Sequence, residues 1–236
     1  MRIDVITIFP GMFASVLGES IIKRAQEKGL VKIAAHNLRN NSRDKHKKVD
    51  DRPYGGGPGM VMCPGPIFRA VEMLRRKINV AGRSGAGKRQ NTRVILLTPQ
   101  GKTLTQGIVR RLAKYRHIIL ICGRYEGVDE RVSKYLVNEE LSIGDYVLSG
   151  GELAAMVVID CVVRLIPGVL GKLESRTVET FEQNMVEYPQ YTRPEVFKGR
   201  RVPVVLLSGD HRRIEQWRRE QSLKATCQKR PDLLIA

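Results

Sequence analysis

Three glycine-bearing loops hold the residues best placed to form a binding site. They span residues 98–101, 123–127 and 143–151, and each directly follows an apolar run. If those runs are parallel strands, the loops meet beyond the carboxyl ends of the strands, where glycine lets backbone groups approach a ligand closely. Any one loop is compatible with an ordinary turn, but three in succession favour a ligand crevice. None has the GxGxxG spacing, so a dinucleotide site is not supported.

Two further glycine-rich segments are less specific. Residues 82–88 match a phosphate loop up to Lys88, but Arg89 stands where a magnesium-binding hydroxyl is needed. The segment also leaves a predicted helix and enters a strand, the reverse of a phosphate loop, so we interpret it as a basic linker. The glycine-rich segment 54–60 has two interpretations: a loop that lets a nucleotide lie against bare backbone, or a tight crossover of the chain.

Titratable side chains give weaker indications by themselves. Asp160 and Arg164 are four residues apart, the spacing of an ordinary helical ion pair. Glu179 lies in a polar stretch, where a solvated acid is the simplest interpretation. The four cysteines form neither CxxC pairs nor Cys/His clusters of metal-ligand spacing. We therefore expect reduced, mostly structural thiols and name no metal ligand.

The segments that must position these residues alternate between strand and helix patterns. Short apolar runs predict strands at 3–8, 30–35, 94–97 and 118–122. Helical periodicity predicts helices over 12–25, 64–77, 104–115, from 128 onward and over 152–165. This alternation predicts an α/β fold with a mostly parallel sheet covered on both faces.

Three segments have a distinctive composition that predicts their environment. The helix over 152–165 is apolar nearly all round, which indicates burial in a core or at a subunit interface. Residues 36–52 are polar and basic and predict a loop. Residues 79–91 predict a flexible connection.

Composition constrains the class of protein. The chain has 236 residues, a formal net charge of +17 and a pI of about 10.1. This surplus favours a polyanionic partner such as nucleic acid, the alternative being a merely basic surface. Asp4 interrupts the first apolar run, and the stretch at 153–166 is shorter than the roughly 20 residues of a membrane span. We therefore expect a cytoplasmic protein.

A change in character near residue 168 predicts the domain organisation. Residues 1–167 form the α/β domain, 168–185 a polar interdomain linker, and 186–236 a small helical C-terminal domain. A strongly basic helix is predicted around 211–224 within the last of these.

Seven motifs, in order along nearly the whole chain, carry a family resemblance. They are DRPYGGGPGM at 51–60, LTPQG at 97–101, CGRYEG at 122–127, IGDYVLSGG at 143–151, IPGVLG at 166–171, YTRPE at 191–195 and WRREQSL at 217–223. The set resembles the TrmD family of bacterial tRNA (guanine-N1)-methyltransferases. The resemblance implies a SPOUT fold, in which the parallel α/β domain contains a deep trefoil knot. It also implies a homodimer with active sites at the interface, and a helical C-terminal domain that helps to bind tRNA.

The implied reaction moves a methyl group from S-adenosylmethionine to N1 of the guanine at position 37, next to the anticodon. Neutral guanine carries a proton on N1, so a general base must remove it, and a cation beside O6 stabilises the developing charge. The resemblance assigns the base to Glu179 and the cation to Arg164. The family usually has aspartate at the first position, so this carboxylate stands one methylene farther out. Glu174 is a less favoured substitute.

The resemblance also implies the binding residues. Those around S-adenosylmethionine are Pro99, Gly123, Tyr125, Glu126, Ile143, Gly144, Asp145, Tyr146, Val147, Leu148, Gly150 and Gly151. Those that approach the tRNA are Asp51, Arg52, Arg212, Arg213, Arg218 and Arg219. Magnesium dependence is a family trait for which the sequence indicates no ligands. The alternatives are a knotted methyltransferase with another RNA target and a non-catalytic RNA-binding relative.

Overall fold

The structure is a computed structural model that describes residues 1–81, 91–170, 180–181 and 184–235, with backbone only at 78–81. The chain divides into two compact units, Met1–Leu170 and Gly171–Ala236. The basic linker predicted at 82–88 and most of the predicted interdomain linker, including Glu174 and Glu179, lie outside the described residues.

A five-stranded parallel sheet forms the centre of the first unit. Its strands are β1 (Arg2–Thr7), β2 (Lys32–Asn37), β5 (Thr92–Thr103), β6 (His117–Cys122) and β7 (Glu139–Ser142). They pair in the order β2-β1-β6-β5-β7. A short antiparallel hairpin, β3 (Asp50–Asp51) and β4 (Val61–Met62), lies outside this sheet. The predicted parallel α/β architecture is confirmed.

Helices cover both faces of the sheet. On one face lie α2 (Ser20–Glu27), α4 (Gln106–Leu112) and α6 (Glu152–Arg164), and on the other lie α3 (Pro64–Ala81) and α5 (Glu130–Tyr135). β6 shows why both faces must be covered. Ile118, Leu120 and Cys122 point into the first core cluster, and Ile119 and Ile121 point into the second. Strand side chains alternate between the faces of a sheet, so a continuous apolar run needs a partner on each side.

The N-terminal helix differs from the prediction of one helix over 12–25. The chain forms a 3-10 turn at Pro10–Phe13, then α1 (Ala14–Leu17), and starts α2 at Ser20 after a break. Gly18 follows α1, and a β-carbon there would lie only 2.9 Å from the carbonyl oxygen of Ala14. Glycine tolerates this close return of the backbone, and its low helix propensity ends the first helix.

Other boundaries also move. α3 continues to Ala81, beyond the predicted end at 77, because no glycine or proline occurs between Pro66 and Gly82. β5 runs through 98–101, where the sequence predicts a loop, and its register against β7 shifts between Leu97 and Lys102. The predicted loop at 36–52 contains the end of β2, a 3-10 turn and β3.

The described part of the second unit contains a hairpin, a long helix and two 3-10 turns, Val204–Leu207 and Pro231–Leu234. The hairpin pairs β8 (Val196–Phe197) with β9 (Arg200–Arg201), and the helix, α7, spans His211–Lys229. Among its described residues, only Ser222 and Thr226 are buried. The Thr226 hydroxyl donates to the Ser222 carbonyl and accepts from the Val186 amide, which ties the helix to the preceding segment.

Candidate functional site

A crevice of about 410 Å³ opens at the carboxyl edge of β5, β6 and β7. Its walls are the segments that follow these strands, residues 98–100, 123–128 and 143–151, together with the first turn of α6. The volume lies within the range of small-molecule sites. The structure thus brings together the three glycine-bearing segments that the sequence analysis singled out.

Local backbone geometry fixes two of these segments against each other. Arg124 and Gly150 form an antiparallel bridge, and the Gly151 amide donates to the Gly123 carbonyl over 2.9 Å. A β-carbon on Gly151 would lie 2.8 Å from the Cα of Cys122, so only glycine fits this approach. Tyr125 adopts a left-handed conformation with φ of 60°, which turns the chain along the crevice wall.

A buried carboxylate lies behind the same wall. Glu152, at the start of α6, is 1% exposed and accepts a 2.7 Å hydrogen bond from the Thr7 hydroxyl at the end of β1. Its other oxygen faces Nε of Arg124 at 3.3 Å. The Arg124 guanidinium also stacks 4.6 Å from the ring centre of Phe9. Three segments distant in sequence therefore meet at this one acid.

The β3–β4 hairpin adjoins the crevice. The Glu126 amide donates to the Met60 carbonyl, and the Met62 amide donates to the Gly127 carbonyl. A β-carbon on Gly59 would lie 2.3 Å from Oε1 of Glu126, so the glycine-rich connection between these strands lets the Glu126 carboxylate rest against bare backbone. Residues 54–60 thus connect the two strands of an antiparallel hairpin, and their backbone accommodates a carboxylate of the same chain.

The predicted donor-binding residues largely converge on this crevice. Those that line it are Pro99, Gly123, Tyr125, Glu126, Ile143, Gly144, Tyr146, Val147, Leu148, Gly150 and Gly151, whereas Asp145 is not among the lining residues. Asp51 and Arg52 lie on the exposed β3–β4 hairpin. Arg164 lies in the last turn of α6 and is not part of the crevice lining.

The four predicted C-terminal arginines all lie on α7. Arg212, Arg213 and Arg219 are exposed, and the guanidinium of Arg218 stacks 4.8 Å from the ring centre of Tyr188. This contact gives Arg218 a packing role in the second unit.

Sequence reasoning missed Arg124, Glu152 and Thr7. Arg124 lies inside a motif that was already singled out, and Glu152 follows the glycine pair of another. An acid at the start of an apolar helix, next to a glycine loop, is a signal that could have identified Glu152. Thr7 gave no comparable signal, because a threonine at the end of a strand is common.

The surroundings of three of the four cysteines disfavour a reactive thiolate. Burial raises the pKa of the Cys122 thiol well above its usual range, which disfavours the nucleophilic thiolate. Burial also raises the pKa values of Cys63 and Cys161. Within the described ranges, no three His, Cys, Asp or Glu side chains are grouped to hold a metal ion.

Fold and site together define a class: a parallel α/β protein whose ligand crevice is built from glycine-rich segments at the carboxyl edge of its sheet. Comparison with known proteins narrows this class. A family model described as tRNA (Guanine-1)-methyltransferase TrmD matches residues 1–236, so the chain belongs to this family. The resemblance drawn from the seven motifs is thereby confirmed.

Curated relatives cover almost the whole chain. Proteins of Halalkalibacterium halodurans and Geobacillus kaustophilus, each named tRNA (guanine-N(1)-)-methyltransferase, are 55% identical over 99% of this chain and 91% of their own lengths. One of Dictyoglomus turgidum with the same name is 55% identical over 99% of this chain and 90% of its length. Among the described helices, none is long and apolar enough to cross a membrane.

Proposed function

We propose that this protein methylates N1 of the guanine at position 37 of tRNA with S-adenosylmethionine as the methyl donor. The proposal rests on one observation. The chain belongs to the TrmD family over its whole length, and its structure brings three of the family's motifs together around one crevice. Because the substrate is a tRNA, we expect the enzyme to work in the cytoplasm.

The crevice suits the donor in size and chemistry. Its volume of about 410 Å³ accommodates a nucleoside with a short side chain. Glycine-rich backbone at 123–127 and 143–151 offers amides and carbonyls to an adenine edge, while Leu97, Ile143 and Leu148 offer apolar contact to its faces. When bound, the donor supplies an electrophilic methyl group. We also assign Asp145 to the donor site, because it lies within the 143–151 segment.

The chain must also supply acid–base chemistry. Neutral guanine has no free lone pair on N1 until its proton is removed, and we assign this removal to Glu179. A guanidinium near O6 favours the deprotonated base, and we assign this role to Arg164. The sequence resemblance to the family is the basis for assigning the role of general base to Glu179.

The position of Arg164 favours an active site shared between two copies of the chain. Ala154 lines the crevice. Arg164 lies ten residues further along α6, so its Cα is about 15 Å from that of Ala154 along the helix axis. That distance exceeds the reach of an arginine side chain. We therefore propose that Arg164 of a second copy faces each crevice in a homodimer.

The exposed side of α6 supports this assembly. Leu153 and Val157 are 50% and 40% exposed, and they align with Asp160 and Arg164 along one face of the helix. Phe9 and Met12 are 43% and 39% exposed in the same unit. Leu153 and Val157 form the apolar end of this face, and exposed apolar patches of this kind are characteristic of interfaces. From family membership we further propose that the first unit contains a deep trefoil knot.

tRNA contacts are assigned to two regions of the chain. Asp51 and Arg52 adjoin the crevice through the β3–β4 hairpin, so we propose that they approach the target nucleotide or its neighbour. We assign Arg212, Arg213 and Arg219 to the tRNA backbone and Arg218 to the same surface, because basic side chains bind phosphates without reading sequence. Magnesium dependence remains a family expectation, and we name no ligand for the ion.

One labelling experiment tests the proposal. The protein is incubated with methyl-labelled S-adenosylmethionine and two tRNAs that differ only in the guanine at position 37. Label on the guanine-containing tRNA alone, recovered as 1-methylguanosine, is the expected result. Label on both tRNAs would instead indicate another RNA target, and label on neither would indicate a non-catalytic RNA-binding protein.

The base is tested by substitution. Glu179→Gln should lower methyl transfer by about 100-fold or more while donor and tRNA binding persist, because the amide cannot accept the N1 proton. Glu179→Asp keeps the carboxylate and should retain most of the activity. Near-normal turnover by the glutamine variant would remove Glu179 from the mechanism.

A further inference from the structure

Arg124 presents an unused hydrogen-bonding fork beside the crevice. Its side chain is 21% exposed and belongs to the crevice lining. Nε faces Glu152 at 3.3 Å, and the guanidinium plane rests on Phe9. Within the described chain, neither Nη1 nor Nη2 has a hydrogen-bond partner. An arginine held by Nε and by stacking keeps its two terminal nitrogens available for a bidentate oxyanion.

The surroundings of Arg124 are shaped to hold this arrangement. A β-carbon on Gly150 would lie 2.4 Å from Nε of Arg124 and 2.5 Å from Oε2 of Glu152. Glycine at this position therefore makes room for the pair. Glu152 is itself anchored by the Thr7 hydroxyl, so the guanidinium is oriented by a rigid acid rather than by a mobile surface partner.

The charges that line the crevice are unevenly distributed. Glu126, Glu130 and Glu140 contribute carboxylates, whereas Arg124 is the only lysine or arginine among the described lining residues. Cationic groups of a ligand have several acids to face, whereas an anionic group finds only this guanidinium as a charged partner among the described lining residues of its own chain. A ligand with both kinds of charge is thereby oriented in the crevice.

From these observations we propose that Arg124 binds an oxyanion of the reactants and that Glu152 is the residue that positions it. The inference rests on the proposed function, which supplies two sources of such a group. One is the carboxylate at the amino-acid end of S-adenosylmethionine, and the other is a phosphate of the tRNA. Both present paired oxygens to the free Nη1 and Nη2 donors.

Binding measurements without turnover separate the two sources. The intact protein and its Arg124→Gln variant are titrated calorimetrically with S-adenosylmethionine and with decarboxylated S-adenosylmethionine, which lacks only the carboxylate. tRNA binding is measured on the same samples. Charge-assisted hydrogen bonds to a carboxylate predict about 10- to 100-fold weaker binding of S-adenosylmethionine to the variant, with the decarboxylated compound unchanged. Weaker tRNA binding with unchanged donor binding would assign the oxyanion to a phosphate.

Two further variants establish that the effect is specific. Arg131→Gln removes an exposed arginine on α5 that pairs with Asp129 outside the crevice lining, and it should change neither titration. Glu152→Gln keeps the shape of the acid but loosens its hold on Arg124. It should therefore reduce the discrimination between the two donors, which a general loss of stability would not do.

The outcomes that overturn the inference differ from those that overturn the function. If Arg124→Gln binds both donor compounds and tRNA like the unaltered protein, Arg124 is not an oxyanion site. Equal weakening toward both donor compounds would reduce Arg124 to a packing residue of the crevice wall. Failure of the unaltered protein to bind S-adenosylmethionine at all would instead contradict the proposed function.

Discussion

Asp4 is the most heavily bonded carboxylate of the first unit. It is fully buried in β1, opposite the crevice edge, and accepts hydrogen bonds from Arg2, His36 and His117 at 2.5 to 2.8 Å. Burial alone would raise its pKa, but the hydrogen bonds from His117, His36 and Arg2 outweigh burial and hold the pKa well below its usual value. The acid therefore stays ionised in the folded protein.

Asp4→Asn tests this buried cluster. The variant should lose about 3 kcal/mol of unfolding free energy at neutral pH, since it removes one partner of a buried charge pair. Because the folded-state pKa is depressed, the contribution of Asp4 is present above its unfolded pKa and declines as pH falls below about 4. Denaturant unfolding at several pH values should show the gap between the two proteins narrowing in acid.

A surface aspartate provides the matched control for Asp4. Asp44→Asn alters a residue of an exposed loop, whose carboxylate accepts hydrogen bonds from the backbone amides of His46 and Lys48. It should leave the unfolding free energy nearly unchanged across the same pH range. An equal loss in both variants would mean that the buried cluster contributes no specific stability.

At the level of elements, the contact between β5 and β7 depends on one glycine. A β-carbon on Gly101 would lie 2.5 Å from both the carbonyl carbon of Glu140 and the amide nitrogen of Leu141. These are backbone atoms, so they cannot move aside as a flexible side chain can. The register shift of β5 between Leu97 and Lys102 coincides with this close approach.

Gly101→Ala should therefore destabilise the fold by about 1–3 kcal/mol, as overpacking against fixed atoms does. The control is Gly107→Ala on α4, where the nearest atom to the new carbon is the Thr105 hydroxyl at 3.8 Å. That change fits the helix and should be neutral or slightly stabilising. Thermal and denaturant unfolding of the two variants compare the sites directly, and equal stabilities would contradict the proposed contact.

At the scale of the whole molecule, both units carry a surplus of positive charge. Met1–Leu170 contains 28 lysines and arginines against 15 acids, and Gly171–Ala236 contains 13 against 9. Relative to its length, each unit carries a similar surplus of positive charge, so the nucleic-acid partner expected from net charge fits basic contacts on both units. We expect substitutions of basic residues there to lower the salt dependence of tRNA binding, since each phosphate contact displaces counterions.

The proposed homodimer is tested on the exposed face of α6. Val157→Asp places a charge at the apolar end of this face, beside Leu153. It should shift the protein from dimer to monomer, because burying an unpaired charge at an interface is costly. Light scattering during size-exclusion chromatography measures the change. Tyr135→Asp on α5, at the opposite face of the sheet, should leave the oligomeric state unaltered. A Val157→Asp variant that stays dimeric would exclude this face as the interface.

The sequence by itself determined the alternation of strands and helices, four of the five strands of the parallel sheet and two of the loops that line the crevice, whereas β7 was not predicted. These follow from hydrophobic periodicity and glycine placement, which are local properties of the chain. Family membership was also accessible, because the motifs occur in order. The break at Gly18 and the extended course of 98–101 were missed, since both depend on where the backbone lies against its neighbours.

Only the tertiary structure decided which side chains meet. Thr7, Arg124 and Glu152 are as many as 145 positions apart in the chain, yet one carboxylate joins them. Asp4, His36 and His117 likewise meet only because β2, β1 and β6 are neighbours in the sheet. Periodicity shows which face of a strand is apolar but not which strands pair. Contacts between distant residues therefore emerge only when the whole sheet assembles.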